Sequence, residues 1–308
     1  MTTSRDAVAA LLADHERRGR RVTAGGLGSF ALDEGAGETV VLVHGVPASS
    51  WLFRKVVPAL AARGLRAVAP DLPGQGLADR PAPADFPYTY TAMGHWLGEA
   101  LDVLGVGDAH LVVHDWGGPV GLEWAAAHPD RVRSLTVLNT MIAVDVFRRP
   151  WFMAPFAHPV AGPAWQAVTR GPVFREFLRR IAFRDRLPVA EIAAYEALMR
   201  RDDDGRAFRA IVTRLERTAE KAALYQDVVR DDRRPVQVVW GVDDPALTLA
   251  TEGAIARALR ADSPFHRLRG RHFFPDDQSA ALAPLIARFV AATPTGPRTT
   301  GETVPLVE

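Results

Sequence analysis

Short, continuously apolar runs alternate with stretches of helical spacing along most of the chain. Residues 40–43 and 111–113 are apolar at every position, which is typical of strands covered on both faces. We predict strands at residues 39–44, 66–70, 109–114, 134–139, 235–240 and 265–268, and helices at residues 6–17, 51–63, 92–104, 119–127 and 277–292. Strand and helix in alternation predict an α/β fold with a mostly parallel, doubly wound sheet.

The alternation stops between residues 141 and 228. This stretch has helical spacing, is rich in arginine and aromatic residues, and is too long for a loop in a compact domain. We therefore predict a helical insertion, 141–228, within a core formed by residues 1–140 and 229–292. Its aromatic side chains form the insertion's own core or face a pocket against the sheet. The last residues, 293–308, are rich in Thr, Pro and Gly and predict a disordered tail.

Composition excludes several classes of function. Lys and Arg number 37 and Asp and Glu 36 in a chain of 308 residues, so no broad field attracts nucleic acid or an anionic membrane. The lack of cysteine excludes disulfides, a thiolate nucleophile and Cys-ligated zinc. Residues 1–21 lack the apolar region of a secretory signal, and no apolar run approaches the roughly 20 residues of a membrane span. We expect a cytoplasmic protein, either a monomer or a homodimer.

An aspartate occupies a strand-to-helix junction that is suited to catalysis. Asp115 follows a buried strand and precedes Gly117 and Gly118, which permit the tight turn of a nucleophile elbow. Ligands of parallel sheets collect at the carboxyl ends of the strands. The same position equally suits an aspartate that caps a helix N-terminus, so this motif does not decide between the two roles.

Two further segments favour the catalytic interpretation. Asp243 and Asp244 follow the strand at 235–240, and His272 follows the last predicted strand. Nucleophile, acid and histidine then occur in the chain order known for α/β-hydrolases. Because three matches in order are unlikely by chance, we predict a catalytic triad.

The turn after the strand at 39–44 supplies a fourth part of the site. This turn can present the Val46 N–H toward the space above Asp115, and the Trp116 N–H would add a second donor. Two such donors stabilise a developing oxyanion. The alternative is an ordinary Gly-Pro turn at the end of a strand.

Several motifs together resemble those of the haloalkane dehalogenases and the related epoxide hydrolases, which have the α/β-hydrolase fold. These motifs are HGVP (44–47), DLPGQG (71–76), HDWGG (114–118), WGVDD (240–244) and RHFF (271–274). The resemblance covers approximately residues 35–140 and 235–290, whereas the insertion matches only in position and helical character. It implies a helical cap over a mostly apolar cavity.

The resemblance also assigns roles to individual residues. It makes Asp115 the nucleophile and His272 the base, and the pattern W-G-x-x-D, counted from Trp240, makes Asp244 the acid. Asn139 stands where one dehalogenase subgroup has its acid. A carboxylate attacks a saturated carbon without prior deprotonation, and the resulting ester is hydrolysed by water that the histidine activates. No metal or organic cofactor is needed.

We therefore predict a hydrolase that acts on a small apolar substrate through an aspartyl ester. The leading reaction converts a haloalkane and water to an alcohol and a halide. The alternatives are an epoxide hydrolase that forms a vicinal diol, and a non-catalytic α/β-hydrolase-like protein that binds a small molecule. Val113 before the elbow, where epoxide hydrolases usually have Gly, favours the dehalogenase.

The sequence does not identify a single residue as the second halide donor or as the acid that would protonate an epoxide oxygen. Many dehalogenases have an Asn side chain as second halide donor where this chain has Val46, so a cap tryptophan, Trp151 or Trp165, is the candidate substitute. Tyr195 and Tyr225 are the cap tyrosines available as an epoxide acid. Each of these four residues is alternatively a packing residue.

Overall fold

Eight strands form one sheet in the computed structural model, which describes residues 4–294. The strands are β1 Gly19–Ala24, β2 Leu27–Glu34, β3 Thr39–Val43, β4 Arg66–Pro70, β5 Ala109–Asp115, β6 Val132–Thr140, β7 Val236–Gly241 and β8 Phe265–Leu268. Their order across the sheet is β1-β2-β4-β3-β5-β6-β7-β8. The pairs β1–β2 and β2–β4 are antiparallel, and the other five pairs are parallel. The predicted mostly parallel sheet is confirmed.

Helices cover the sheet and fill the insertion. They are α1 Ser4–Arg17, α2 Val56–Ala61, α3 Tyr90–Val103, α4 Gly117–Ala127, α5 Ala161–Val168, α6 Pro172–Ala182, α7 Val189–Arg200, α8 Arg206–Thr213, α9 Ala219–Arg230, α10 Glu252–Leu259, α11 Phe274–Asp277 and α12 Ser279–Ala292. Every residue of β5 and β7 is buried, as expected of strands with apolar runs at their centres that are covered on both faces.

The predicted helix over residues 51–63 is wrong as a single element. A 3-10 turn at Ser50–Phe53 is followed by the separate helix α2. Pro58 has no N–H to donate to the carbonyl of Arg54 four residues earlier, so a continuous helix would lose a hydrogen bond there. The Arg54 carbonyl instead accepts a hydrogen bond from Arg18 Nη2 at 3.1 Å.

The antiparallel hairpin of β1 and β2 was not expected from the sequence. Its two strands are joined at Gly25 and Gly26, whose φ angles of 55° and 74° lie in the region that favours glycine. β1 is an edge strand and alternates between exposed and buried positions, so it lacks the continuous apolar run by which the other strands were recognised.

The strand order places a crevice above β3 and β5. From β3 the chain first adds β4 on one side and then β5 on the other side, so the connections diverge between these two strands. Such switch points are where ligands bind, beyond the carboxyl ends of the strands. The turn that carries Val46 and the elbow that carries Asp115 both begin here.

Helices α5 to α8 interrupt the alternation of strand and helix between β6 and β7. The following helix, α9, packs on α4, where Lys221 Nζ and Tyr225 Oη both bond to Glu123 Oε1 at 2.6 Å. The division into a core, 1–140 and 229–292, and a cap, 141–228, stays a prediction. Most of the predicted tail, 293–308, lies outside the described residues.

No helix within residues 4–294 combines the length and apolar character needed to cross a bilayer. Over the same range, no three His, Asp or Glu side chains are grouped so that they would hold a metal ion.

Candidate active site

Asp115 stands on a sharp turn between β5 and α4. Its φ of +50° lies in the left-handed region, which is uncommon for a residue other than glycine. The turn is possible because the second and third residues after Asp115 are glycines: a Cβ on Gly117 would overlap the carbonyl of Val43, and one on Gly118 would overlap Thr140 Oγ1. Thr140 Oγ1 also donates to the Asp115 carbonyl at 2.6 Å. These contacts give the geometry of a nucleophile elbow.

The Asp115 carboxylate is buried and held by two backbone amides. Its Oδ2 accepts a hydrogen bond from the Val46 N–H at 2.7 Å, and the Trp116 N–H also bonds to the carboxylate. Burial raises the pKa of the Asp115 carboxyl, and the neighbouring His272 and the two amides oppose that rise. Gly45 allows this close approach, because a Cβ at that position would overlap Asp115 Oδ2.

His272 lies between two carboxylates. Its Nε2 is 3.6 Å from Asp115 Oδ1, and its Nδ1 is 2.9 Å from Asp244 Oδ2. Burial alone would lower the pKa of the imidazole. The charge of Asp244, the hydrogen bond to Asp244 and the charge of Asp115 outweigh burial and raise the pKa of His272 to about 9.

Asp244 is fixed from several sides. Its Oδ2 accepts from Asn139 Nδ2 at 2.7 Å, and its Oδ1 accepts from the Ala246 N–H at 2.7 Å. Burial would raise the pKa of the Asp244 carboxyl, but the charge of His272 and these hydrogen bonds hold the pKa below its usual value. The adjacent Asp243 instead pairs with Arg184 at 2.9 Å, so the structure places Asp244 beside the imidazole.

His114 supports the same loop and was not recognised from the sequence as a functional residue. Its Nε2 lies 2.8 Å from the His272 carbonyl oxygen, and the two rings are 5.1 Å apart. Burial, with a smaller effect of the nearby His272, lowers the pKa of His114 to about 3. The ring is therefore neutral and donates from Nε2. The only sequence signal for this role is its position next to Asp115.

A cavity lies above the carboxylate and the imidazole. Asp115 and His272 are the only residues with ionisable side chains that line it within the described part of the chain. The Trp116 side chain also lines the cavity, and its indole N–H is a hydrogen-bond donor only. The other lining residues are apolar: Val46, Pro47, Phe147, Pro150, Phe152, Met153, Phe156, Phe174, Phe177, Leu178, Ile181, Ala182, Phe208, Ala246, Leu247 and Phe273.

The four cap residues proposed as substrate contacts do not line this cavity. Trp151 is 84% exposed and Trp165 is 40% exposed, so both indoles face outward. Tyr195 and Tyr225 are buried, but their hydroxyls donate to carboxylates elsewhere, to Asp276 at 2.7 Å and to Glu123 at 2.6 Å.

Phenylalanines form the cap side of the cavity instead. Three of the lining residues on α6, Phe174, Phe177 and Ile181, follow the spacing of one helical face. That spacing is visible in the sequence. It identifies a buried face but not which surface covers it.

Comparison with known proteins places this architecture in a family. Residues 38–278 match the family model of the alpha/beta hydrolase fold. Haloalkane dehalogenase 1 of Mycobacterium tuberculosis is 32% identical over 267 residues, which cover 82% of this chain and 84% of that protein. The cis-3-alkyl-4-alkyloxetan-2-one decarboxylase of Xanthomonas campestris pv. campestris is 28% identical over 304 residues, 87% of this chain and 94% of that protein.

Solved structures agree on the fold. Haloalkane dehalogenase DbeA from Bradyrhizobium elkani USDA94 superposes with a TM-score of 0.73 at 22% identity, over 89% of this chain and 97% of that chain. Epoxide hydrolase VrEH1 from Vigna radiata gives a TM-score of 0.70 at 21% identity, over 89% and 97%. The chain belongs to the α/β-hydrolase fold family and is a hydrolase related to the haloalkane dehalogenases.

Proposed function

We propose that the protein hydrolyses haloalkanes to alcohol and halide through an ester on Asp115. The observation that carries the proposal is an apolar cavity whose only ionisable lining groups, among residues 4–294, are Asp115 and His272, with Oδ1 and Nε2 3.6 Å apart. An apolar wall suits a substrate without polar groups, and a carboxylate beside an imidazole suits displacement followed by hydrolysis. The 32% identical relative that bears the name haloalkane dehalogenase supports this assignment.

The two oxygens of Asp115 have different surroundings, which assigns their roles in the first step. Oδ2 accepts the Val46 amide hydrogen at 2.7 Å, whereas Oδ1 faces His272 Nε2 at 3.6 Å. Oδ1 attacks the saturated carbon, the carbon–halogen bond breaks, and the halide leaves with the bonding electron pair. No proton is transferred in this step. The Trp116 indole N–H is the side-chain donor available to the departing halide.

Hydrolysis of the ester requires the histidine. Neutral His272 takes a proton from water, and the hydroxide attacks Cγ of Asp115. Negative charge then develops on Oδ2, which already accepts the Val46 amide hydrogen, and the Trp116 amide donates to the same carboxylate group. The tetrahedral intermediate expels the alkoxide, which takes the proton back from the imidazolium and leaves as the alcohol. Asp115 is then a carboxylic acid, and His272 takes its proton and passes it to solvent, so that the carboxylate is restored.

The charge next to His272 changes during this cycle so that the pKa of the imidazole falls before it acts as a base. In the resting site Asp115 and Asp244 both favour the imidazolium. Esterification removes the charge of Asp115, so the pKa of His272 falls and the neutral base becomes more populated when it is needed. Asp244 remains beside Nδ1 and stabilises the imidazolium that forms as water is deprotonated.

Epoxide opening is less well supported by the position of the tyrosines. An epoxide oxygen needs a proton donor as the ring opens, and Tyr195 and Tyr225 both donate to carboxylates away from the cavity. Apart from His272, no residue that lines the cavity within the described residues carries an acid suited to this task. A halide needs no proton, which favours the dehalogenase.

Opening of a four-membered lactone is a second candidate. The Xanthomonas campestris relative, matched over 94% of its length, is named for such a substrate. A carboxylate that opens a lactone at its saturated carbon releases another carboxylate, which also needs no acid. Because the described residues that line the cavity offer no acid other than His272, this reaction is also favoured over epoxide opening.

A trapped ester tests the proposal and separates the candidates. The variant His272→Phe is mixed with a bromoalkane, a styrene-type epoxide or a dialkyl oxetan-2-one, and the intact protein mass is measured. We expect an alkyl adduct on Asp115 and one equivalent of bromide with the bromoalkane only. Asp115→Asn is the control and forms no adduct.

Each other outcome has a defined meaning. A hydroxyalkyl adduct identifies an epoxide hydrolase, and turnover of the lactone alone identifies the second candidate. No adduct with any of the three probes, and no turnover by the unaltered enzyme, contradicts the aspartyl mechanism. That result leaves the non-catalytic binding protein.

A further inference from the structure

A buried group of charged residues lies close to His272 but plays no part in the chemistry above. We call it the Asp276 cluster; it consists of Arg54, Lys55, Glu191, Tyr195 and Asp276. Asp276 is fully buried, and its Oδ2 accepts from Arg54 Nη1 at 2.5 Å and from Tyr195 Oη at 2.7 Å. Lys55 Nζ is 2.9 Å from Asp276 Oδ1 and 2.9 Å from Glu191 Oε2, and Arg54 also pairs with Glu191.

The cluster joins three parts of the chain that surround the site. Arg54 and Lys55 follow the turn that carries Val46, Asp276 lies four residues after His272, and Tyr195 lies on α7 of the insertion. Its two positive and two negative groups balance, as buried charges require. A buried carboxylate held by partners from separate segments fixes the relative positions of those segments.

A stack of three rings connects Tyr195 to the base. The Phe273 ring lies 5.4 Å from the His272 ring at an interplanar angle of 30°, and 5.2 Å from the Tyr195 ring at 31°. The backbone is attached as well, since the Phe273 N–H donates to the Ala182 carbonyl at the end of α6 at 2.8 Å. The imidazole therefore packs against the Phe273 ring, and Phe273 in turn contacts Tyr195 and Ala182 of the insertion.

We propose that Tyr195 is a positioning residue for His272: its hydroxyl fixes Asp276, and its ring supports Phe273 against the imidazole. This inference rests on the proposed function, because it places the effect of Tyr195 in hydrolysis of the ester. The imidazole must keep Nδ1 on Asp244 while Nε2 faces the carboxylate that is esterified. A base displaced by as little as 1 Å loses about 100-fold in rate.

The two chemical steps respond differently to a loosened base. Alkylation uses the Asp115 carboxylate and the two backbone amides, and it transfers no proton to His272. Hydrolysis depends on the position of the imidazole. A defect at Tyr195 therefore leaves the first step unchanged and slows the second, so that the ester accumulates. Simple loss of packing would lower both steps in proportion to the folded fraction.

The test compares two tyrosine substitutions of the same chemical kind. Tyr195→Phe removes the bond to Asp276 and keeps the ring stack. Tyr225→Phe is the matched control, because Tyr225 is also fully buried and also donates to a buried carboxylate, that of Glu123. Rapid quenching after mixing with a bromoalkane, followed by intact mass, gives the rates of alkylation and ester hydrolysis separately.

We expect Tyr195→Phe to slow ester hydrolysis about 3- to 10-fold, the effect of one lost hydrogen bond, with alkylation unchanged. Tyr195→Leu, which also removes the ring, should slow hydrolysis about 100-fold. Tyr225→Phe should change neither step. Equal slowing of both steps in Tyr195→Phe, or the same change in Tyr225→Phe, overturns the proposal.

A second readout does not depend on the reaction. The imidazole nitrogen resonances of His272 are followed by NMR in the resting protein and in both tyrosine variants. We expect them to shift in Tyr195→Phe and to stay constant in Tyr225→Phe. If His272→Phe forms no ester, the proposed function fails, and the NMR comparison alone decides the role of Tyr195. Unchanged His272 resonances in Tyr195→Phe overturn that role.

Discussion

Replacement of Asp244 by asparagine tests how strongly the buried acid assists the base. Its Oδ2 lies 2.9 Å from His272 Nδ1, and it contributes the largest part of the rise in the pKa of His272 from 6.5 to about 9. A rise of this size corresponds to about 3 kcal/mol in favour of the imidazolium. Because the imidazolium forms as water attacks the ester, we expect Asp244→Asn to slow ester hydrolysis about 100-fold.

Alkylation should change less than about threefold in the same variant, because the Asp115 carboxylate needs no proton transfer. Rapid-quench mass spectrometry of the Asp115 ester, together with bromide release, measures the two steps separately. Asp244→Asn should therefore show a burst of bromide followed by slow turnover.

Asp243 supplies the matched control for this experiment. It is the neighbouring carboxylate in the chain, but its side chain is 41% exposed and it pairs with Arg184. Asp243→Asn should leave both steps within about twofold of the unaltered enzyme, as expected of an exposed ion pair. The reasoning would be refuted if both variants slowed hydrolysis alike, or if Asp244→Asn reduced alkylation as much as hydrolysis.

Three further predictions concern the nucleophile and its surroundings. Gly45→Ala places a methyl group against Asp115 Oδ2, so alkylation should fall at least about 100-fold while circular dichroism stays unchanged. Asp115→Asn removes a charge 3.6 Å from the imidazole, so the pKa of His272, followed by NMR, should fall below about 9. Since only neutral His272 activates water, the rate of ester hydrolysis in the unaltered enzyme should rise with pH, and a rate that does not change between pH 5 and 9 would contradict this. In a single turnover in H₂¹⁸O, the label should enter the Asp115 carboxylate and not the alcohol, because water attacks Cγ.

The core of the site follows from the sequence because its elements are local. Continuous apolar runs identify β5 and β7 as buried strands, and the residues just beyond them lie at one edge of the sheet. Asp115, Asp244 and His272 occupy such positions, so chain order alone brings them together in a parallel sheet. The structure places all three within hydrogen-bond or near-contact distance.

The contacts of the insertion were less predictable from the sequence. Helical spacing shows which side chains share one face of a helix, but it does not show which surface that face packs against. Trp151 and Phe152 are adjacent in the chain, yet Trp151 is exposed and Phe152 lines the cavity. Aromatic content gives no means to choose between them. The role proposed for Tyr195 depends on its hydrogen bond to Asp276, which is 81 residues away in the sequence, and no local pattern predicts that pairing.

The apolar wall also bears on how the products leave. Within the described residues, no lysine or arginine lines the cavity, so a released halide finds only the Trp116 indole and the His272 imidazole as partners. Once the ester is hydrolysed, the restored Asp115 carboxylate repels that anion at short range, and the surrounding hydrocarbon offers it no solvation. Under the proposed mechanism, the charge that begins each cycle therefore also drives the departing ion back to water, and added bromide should compete only weakly with the substrate.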